Sequence, residues 1–228
     1  MKATLSFEKT TSSDVSIMVD ALRASTTITL ALDKFKKVIP CFTQKEAFEL
    51  KDKYDCLLSG ERNGKKLEGF DIGNSPSLMK NLKTSKDTLI LTTTNGTRIL
   101  ENMSSKVLIG SLINAQAVAL KSLELAKTHI DVVMAGVKGE FATEDYLAGG
   151  EILYWIKEFS DDCMISEYGQ KAINDSRDYD LVKKEFINSK TAKRLIQLGY
   201  EDDVNISCLK NISNNVAIYS NKELHLYI

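Results

Sequence analysis

The stretch VSIMVDALRASTTI, residues 15–28, joins a short β-rich run to a polar turn and sets the pattern for the rest of the chain. Apolar and β-branched residues over four to eight positions predict a buried strand. Five more runs have this character, with helical periodicity between them: KVIPC (37–41), CLLSG (56–60), TLILTT (88–93), KVLIG (106–110) and DVVMAG (131–136). This alternation predicts βαβ units on a largely parallel sheet.

Start signals mark the helices between these strands. Thr43 with Glu46 fits a capping box, Pro76 follows Ser75 as a first-turn proline, and acidic residues follow Thr143. Beyond about residue 160, polar helical segments precede three more β-like runs: VNISC (204–208), NVAIYS (215–220) and ELHLYI (223–228). We therefore predict an α/β fold with a mixed, largely parallel sheet, in which a helical segment and short strands form the C-terminal end of a single domain, 1–228.

The composition excludes several functions. Thirty Lys and Arg against 31 Asp and Glu leave a net charge of −1, which gives no field for nucleic acid or an anionic membrane. The apolar runs are too short to span a bilayer, and no export signal or CxxC spacing is present, so we expect a cytoplasmic protein with reduced cysteines. The only histidines, His129 and His225, exclude mechanisms that need a histidine pair.

Polar motifs directly follow the predicted strands. They are DALR (20–23), GERNG (60–64), TTTNGTR (92–98), GSLIN (110–114) and GVKGE (136–140). Loops that follow parallel strands meet at one edge of the sheet, where ligands bind. Together with GFDIGNSP (69–76) they bring arginines and carboxylates towards one cleft: Arg23, Arg62 and Arg98 with Asp20, Glu61, Asp71, Glu144 and Asp145.

These residue types suit a phosphorylated substrate. Guanidinium groups bind oxyanions through two parallel hydrogen bonds, and helix N-termini near Ser75 and Asn95 offer backbone N–H groups to the same anions. One or two carboxylates plus a substrate phosphate form the usual magnesium arrangement. The hypothesis is a magnesium-dependent reaction at phosphate.

Each motif also has a purely structural explanation. Asp20 and Arg23 fit a helix cap and a surface ion pair, Glu144 and Asp145 fit a helix dipole, and the charged segments 45–55 and 178–194 fit solvated helix faces. Residues 56–62 match the C-x5-R spacing of thiol phosphatases, but the positions after Cys56 are those of an apolar strand, which favours a buried structural cysteine.

Five segments resemble, in order and spacing, the 2-phosphosulfolactate phosphatase family: DALRASTTI (20–28), LLSGERNGKKLEGFDIGNSP (57–76), TTTNGTR (92–98), GSLINAQAVA (110–119) and GEFATEDYLAGGEI (139–152). AKRLIQLGYEDDVNISC (192–208) is similar to the family's closing segment. Met134 and Val137 depart from it, since cysteine and threonine are common there. The resemblance implies a three-layer α/β/α fold with a mixed sheet. It also implies a magnesium-dependent acid phosphatase that converts 2-phosphosulfolactate to 3-sulfolactate and phosphate, a step of coenzyme M biosynthesis.

We combine the motifs and the resemblance into one hypothesis. Asp20, Glu61 and Asp71 are the expected Mg²⁺ ligands and, with Arg23 and Arg62, the expected catalytic residues. The expected substrate-binding residues are Asn74, Ser75, Thr93, Thr94, Asn95, Gly96, Arg98 and Asn114, and Glu140, Glu144 and Asp145 are further candidates. The nucleophile is either a metal-activated water or a carboxylate such as Asp20.

The expected partner is a small substrate that carries phosphate, sulfonate and carboxylate, and the interpretation allows a homodimer. Two alternatives stay open. A non-catalytic binder of a phosphorylated or sulfonated metabolite would use the same arginines and release no phosphate. An isomerase or transferase would form product without free phosphate.

Overall fold

The computed structural model describes residues 1–94, 99–100 and 103–227. Its strands are β1 (Lys2–Phe7), β2 (Val15–Val19), β3 (Lys37–Cys41), β4 (Cys56–Arg62), β5 (Lys65–Lys66), β6 (Thr88–Thr92), β7 (Lys106–Gly110), β8 (His129–Met134), β9 (Met164–Ile165), β10 (Ala217–Ser220) and β11 (Glu223–Leu226). Its described helices are α1 (Ala24–Ala31), α2 (Gln44–Lys51), α3 (Pro76–Asn81), α4 (Ala115–Leu125), α5 (Thr143–Phe159), α6 (Glu167–Asp175), α7 (Tyr179–Asn188), α8 (Lys190–Gln197) and α9 (Glu201–Ser207), with a 3₁₀ turn at Leu112–Asn114. All six strands predicted before residue 160 are present.

The strands form one mixed sheet in the order β5-β4-β6-β3-β11-β10-β7-β2-β8-β1-β9. β4, β6 and β3 are parallel to one another, and so are β7, β2, β8, β1 and β9. The hairpin of β10 and β11 joins these two groups through antiparallel pairs. The prediction of a mixed, largely parallel sheet is confirmed.

The hairpin reverses the strand direction between the two groups, so in a flat sheet their carboxyl ends would lie at opposite edges. The loops after β2, β4, β6 and β8 nevertheless line one cleft, although the sheet is not one parallel set.

Helices cover both faces of the sheet and complete three layers. On β2, Val15, Ile17 and Val19 pack in one cluster with residues of α4 and α5. Met18 points to the opposite face and packs with residues of α1 and with Met79 of α3. Successive side chains of a strand point to opposite faces of the sheet, so a strand that is buried on both faces has apolar residues on each side.

The three start signals read from the sequence all mark helix starts, and two of them are side-chain caps. Thr43 Oγ1 accepts the Glu46 N–H at 3.0 Å, while the Glu46 side chain accepts the N–H of Phe42, one residue before the cap. Ser75 caps α3 with Pro76 at its start. α5 begins at Thr143 and carries Glu144 and Asp145 in its first turn.

One predicted strand is wrong. Residues 204–208 do not pair in the sheet, because Val204 and Ser207 belong to α9 and face the protein interior. Three acidic residues, Glu201, Asp202 and Asp203, occupy the first turn of that helix, where the helix dipole favours negative charge. In the described part of the chain, the helices are all too short or too polar to cross a bilayer.

Candidate active site

The candidate site is a cleft of about 260 Å³ formed by five loop segments and α8. Asp20 and Arg23 reach it after β2, Glu61 at the end of β4, and Thr93 and Thr94 after β6. The loop after β8 adds Lys138 and Glu140, α8 adds Thr191 and Arg194, and Asn74 precedes α3. The wall of the cleft therefore carries hydrogen-bond donors, positively charged side chains and carboxylates.

Arg23 is buried and held on several sides. Its Nη1 donates to Asp203 Oδ2 at 2.8 Å, and its Nη2 donates to the carbonyl oxygen of Gly64 at 2.8 Å. The guanidinium also lies 4.7 Å from the centre of the Tyr200 ring, which is cation–π geometry. Arg23 thus presents a charge of fixed position to the cleft.

Asp203 is completely buried and connects Arg23 to the start of α3. Its Oδ1 accepts hydrogen bonds from Ser75 Oγ and Ser77 Oγ, both at 2.6 Å, and from the Ser77 N–H at 3.0 Å. A buried charge needs such compensation, because an unpaired one is costly. Asp203 therefore fixes Arg23 and the segment that carries Asn74 relative to each other.

Glu61 ties two loops together at the cleft. Its Oε1 accepts the Thr94 N–H at 2.9 Å and the Thr94 hydroxyl at 2.7 Å, and its Oε2 accepts the Gly64 N–H at 2.7 Å. Each contact holds the backbone of a loop that lines the cleft. Both oxygens of Glu61 are thus engaged in positioning.

Three carboxylates are buried in the loop after β2 and in the first turn of α5: Asp20, Glu144 and Asp145. Asp145 accepts the Ala21 N–H at 2.8 Å and the Gly136 N–H at 2.9 Å, so it joins the loops after β2 and β8. Burial raises the pKa of Asp145 well above its usual range, and the charges of Asp20 and Glu144 raise it further.

Asn74 carries an unsatisfied oxygen in the cleft. The residue is 3% exposed, and its Oδ1 has no hydrogen-bond partner among the described residues. A buried polar atom without a partner costs free energy, and such atoms cluster where a ligand completes the set. Asn74 Oδ1 is therefore available to a ligand that enters the cleft.

Comparison with known proteins gives a family. The profile described as 2-phosphosulpholactate phosphatase matches residues 2–222. A 2-phosphosulfolactate phosphatase of Methanothermobacter thermautotrophicus is 45% identical over 226 residues, which cover 99% of this chain and 96% of the relative. This chain belongs to the 2-phosphosulfolactate phosphatase family. Probable 2-phosphosulfolactate phosphatases of Clostridium acetobutylicum and Thermotoga maritima are 34% and 37% identical, over 95% and 90% of this chain and 94% and 88% of those proteins.

In this member of the 2-phosphosulfolactate phosphatase family, the structure brings together part of the predicted site. Asp20, Arg23, Glu61, Asn74, Thr93, Thr94 and Glu140 line the cleft. Ser75 follows Asn74 in the chain, and its hydroxyl donates a hydrogen bond to Asp203. Glu140 pairs with Lys190 at 3.0 Å, and Glu144 lines a groove that adjoins the cleft. Asn95, Gly96 and Arg98 lie outside the described residues.

Three predicted site residues lie elsewhere. Asp71 accepts the Leu58 N–H at 2.7 Å and lies 3.8 Å from Lys51, so it does not share a site with Asp20 and Glu61. Arg62 donates to the carbonyl oxygen of Phe42 and to Thr92 Oγ1, which links the ends of neighbouring strands outside the cleft.

Asn114 is the third. Its Oδ1 accepts the Ser111 N–H at 2.9 Å, and its Nδ2 donates to the carbonyl oxygens of Ile109 and Asn215. These contacts fix the turn after β7. Asn114 is not among the residues that line the cleft.

Sequence reasoning missed four residues of the site: Asn63, Lys138, Arg194 and Asp203. Arg194 lies in a segment expected to be a solvated face, but it reaches the cleft from α8. The Asn63–Gly64 pair is a known hairpin signal that could have been used. No local signal distinguishes the buried Asp203 from the exposed Asp202 beside it.

Two residues of the cleft carry oxygen atoms of the type that Mg²⁺ takes as ligands. Mg²⁺ takes oxygen ligands, usually one or two carboxylates, with water and substrate phosphate filling the other positions. Asp20 and the unsatisfied Oδ1 of Asn74 supply such oxygens in one cleft. The described residues contain no cluster of three or more acidic, histidine or cysteine side chains arranged to hold a metal. The three-carboxylate set of Asp20, Glu61 and Asp71 is therefore not assembled.

Proposed function

We propose that the protein hydrolyses the phosphate monoester of a small polyanionic acid, with 2-phosphosulfolactate as its substrate. Water cleaves the ester P–O bond, and the products are 3-sulfolactate and inorganic phosphate. The observation that carries the proposal is the cleft, in which the cations Arg23, Lys138 and Arg194 lie with Asp20 and the unsatisfied Asn74. The names of the relatives support this choice of substrate, as does the family to which the chain belongs.

Arg23 suits the binding of phosphoryl oxygens. A fixed guanidinium loses little conformational freedom on binding, and in a sheltered cleft its charge is less screened than at the surface. The Thr94 N–H and hydroxyl are bound to Glu61, which holds the loop after β6 in place before substrate arrives. Groups of the cleft that are already fixed in position can stabilise the charge that develops in the transition state, because they do not need to reorganise during the reaction.

We propose Mg²⁺ as the cofactor, held by Asp20 and Asn74 Oδ1. When bound, Mg²⁺ neutralises charge on the phosphoryl oxygens and on the leaving alkoxide. Asp20 takes one of two roles here, since it either orients the attacking water or attacks phosphorus itself. Labelled phosphate trapped on the protein by acid quench identifies the second route.

The test of this function is the release of inorganic phosphate from 2-phosphosulfolactate. We expect activity to be lost in EDTA and restored by added Mg²⁺, and Asp20→Asn to abolish turnover while the protein stays folded. Activity that survives chelation refutes the magnesium proposal. Binding of 2-phosphosulfolactate without phosphate release, with Mg²⁺ present, refutes the enzyme and favours the binder.

We also propose a cytoplasmic location and no nucleic-acid partner. The four cysteines are buried free thiols, which suits a reducing compartment. The net charge of −1 gives no basic surface for a phosphate backbone. Release of 3-sulfolactate would fit coenzyme M biosynthesis.

A further inference from the structure

Two tight turns meet at the mouth of the cleft. Asn63 and Gly64 join β4 to β5 with φ values of 55° and 85°, and Lys138 and Gly139 form a turn with φ values of 53° and 84°. Positive φ at both central positions is the requirement of a type I′ turn, and Asn-Gly is its favoured sequence. The turns touch directly, because Lys138 Nζ donates to Asn63 Oδ1 at 2.9 Å.

The Asn63–Gly64 turn holds two more cations. Arg194 Nε donates to the carbonyl oxygen of Asn63 at 3.2 Å, and Arg23 Nη2 donates to the carbonyl oxygen of Gly64 at 2.8 Å. The three cations come from the loop after β2, the loop after β8 and α8. A single two-residue turn therefore gathers positive groups from three separate parts of the fold.

The three cations differ in their surroundings. Asp203 balances Arg23 in the interior, and Glu140 is paired with Lys190. Asp20 and Glu61 lie on the same cleft wall, and Glu61 is bound to two loops. Lys138 and Arg194 are exposed residues of the cleft wall, and each donates a hydrogen bond to an oxygen of the Asn63–Gly64 turn.

We propose that the Asn63–Gly64 turn positions Lys138 and Arg194, beside Arg23, as a subsite for the anionic groups of the substrate that are not transferred. This inference rests on the proposed function and names the specificity determinants of that site. A guanidinium beside an ammonium suits a sulfonate and a carboxylate carried on adjacent carbons.

The experiment compares two substrates and one product. 2-Phosphosulfolactate carries both extra anions, p-nitrophenyl phosphate carries neither, and 3-sulfolactate probes the subsite by calorimetry without turnover. The variants are Lys138→Gln, Arg194→Gln and Asn63→Gly, which keeps positive φ accessible but removes the side-chain oxygen. Lys193→Gln is the matched control, since it removes the same charge from α8 beside Arg194 but does not line the cleft.

We expect Lys138→Gln and Arg194→Gln to raise KM for 2-phosphosulfolactate and Kd for 3-sulfolactate roughly 10- to 100-fold, the usual range for a charged hydrogen bond. With p-nitrophenyl phosphate, KM should change by less than about threefold. This substrate has neither the sulfonate nor the carboxylate, so it makes no contact with the subsite that the variants could remove. Asn63→Gly should weaken binding in the same direction by a smaller factor. Lys193→Gln should match the unmodified protein.

Distinct outcomes separate this inference from the proposed function. If the unmodified protein turns over 2-phosphosulfolactate and both charge-removing variants keep its KM and the Kd of 3-sulfolactate, the subsite is refuted and the function stands. If no substrate is hydrolysed but 3-sulfolactate binds and the variants weaken it, the subsite stands and the function fails. Equal losses with both substrates, or no binding of 3-sulfolactate to the unmodified protein, overturn the subsite.

Discussion

Replacing Asp203 by alanine removes the carboxylate that holds Arg23 and the start of α3 together. The side chain is fully buried and accepts hydrogen bonds from Arg23, Ser75 and Ser77, with donor–acceptor distances of 2.6–3.0 Å. Asp203→Ala leaves the Arg23 charge buried without its partner. Breaking a buried ion pair in this way typically costs about 3–5 kcal/mol of the free energy of unfolding.

Such a loss is a large fraction of the stability of an ordinary domain, which is about 5–15 kcal/mol. For a chain of this length it corresponds to a decrease in Tm of roughly 6–20 °C. The measurement is urea unfolding followed by circular dichroism, together with the Tm. Asp202→Ala is the matched control, because Asp202 is the preceding residue of the same helix and is exposed. It should change stability by no more than about 0.5 kcal/mol.

A second variant tests the cause of the loss. In Arg23→Met with Asp203→Leu, both charges are replaced by apolar groups, and replacing a buried pair in full is often neutral or stabilising. We expect this double variant to be more stable than Asp203→Ala, and to lack phosphatase activity because Arg23 is gone. The reasoning is refuted if Asp203→Ala is as stable as Asp202→Ala, or if the double variant loses as much as the sum of its single changes.

Three more predictions concern other parts of the molecule. Gly136→Ala should lower the free energy of unfolding by about 1–3 kcal/mol. At a φ of +62°, the new Cβ would lie 2.5 Å from Phe7 Cε2 and 2.6 Å from the backbone carbonyl oxygen of Glu140. In the same unfolding assay Gly139→Ala should cost less, because its Cβ would meet no atom within 4 Å. Burial, and to a smaller extent the charge of Lys2, lower the pKa of His129 below 6.5. Near that pH the unfolded chain therefore binds more protons than the folded protein, so stability should fall as the pH decreases through 6.5. An equal dependence of stability on pH in His129→Gln would contradict this. Burial raises the pKa of the Cys56 thiol, which keeps it unreactive, so iodoacetamide should leave phosphate release unchanged. If iodoacetamide inactivates the protein and Cys56→Ala prevents this, a thiol mechanism is supported instead.

Local patterns predicted local structure well, and the exceptions have physical causes. The strands and the cap at Ser75 depend on residues a few positions apart, which a sequence displays directly. Residues 204–208 were misread because a five-residue alternation of apolar and polar side chains fits two periods. The three acidic residues before it favour a helix start, and burial of Val204 and Ser207 on one side selects the helix.

The convergence of loops at one cleft was predicted from a rule for parallel sheets, but it arises in another way. β10 and β11 pair with β7 and β3, strands more than 100 residues earlier, and reverse the direction of half the sheet. No local pattern encodes that pairing. Loops that follow strands of both groups nevertheless line the expected cleft, so the cleft forms in a sheet of different topology.

Residue types in a motif predicted chemistry, whereas the contacts of each side chain decided whether that chemistry lies in the cleft. Arg23 and Arg62 both follow a strand, yet Arg62 binds Phe42 and Thr92 while Arg23 is held in the cleft by Asp203, 180 residues away. Asp203 balances Arg23, whereas Lys138 and Arg194 are exposed cations on the wall of the same cleft. Arg194 lies on a helix face that reads as solvated, and Lys138 lies in the GVKGE motif after β8 but is not one of the arginines assigned to the cleft from the sequence. Selectivity for a polyanion should therefore depend more on these two residues than on the arginines of the motifs described in the sequence.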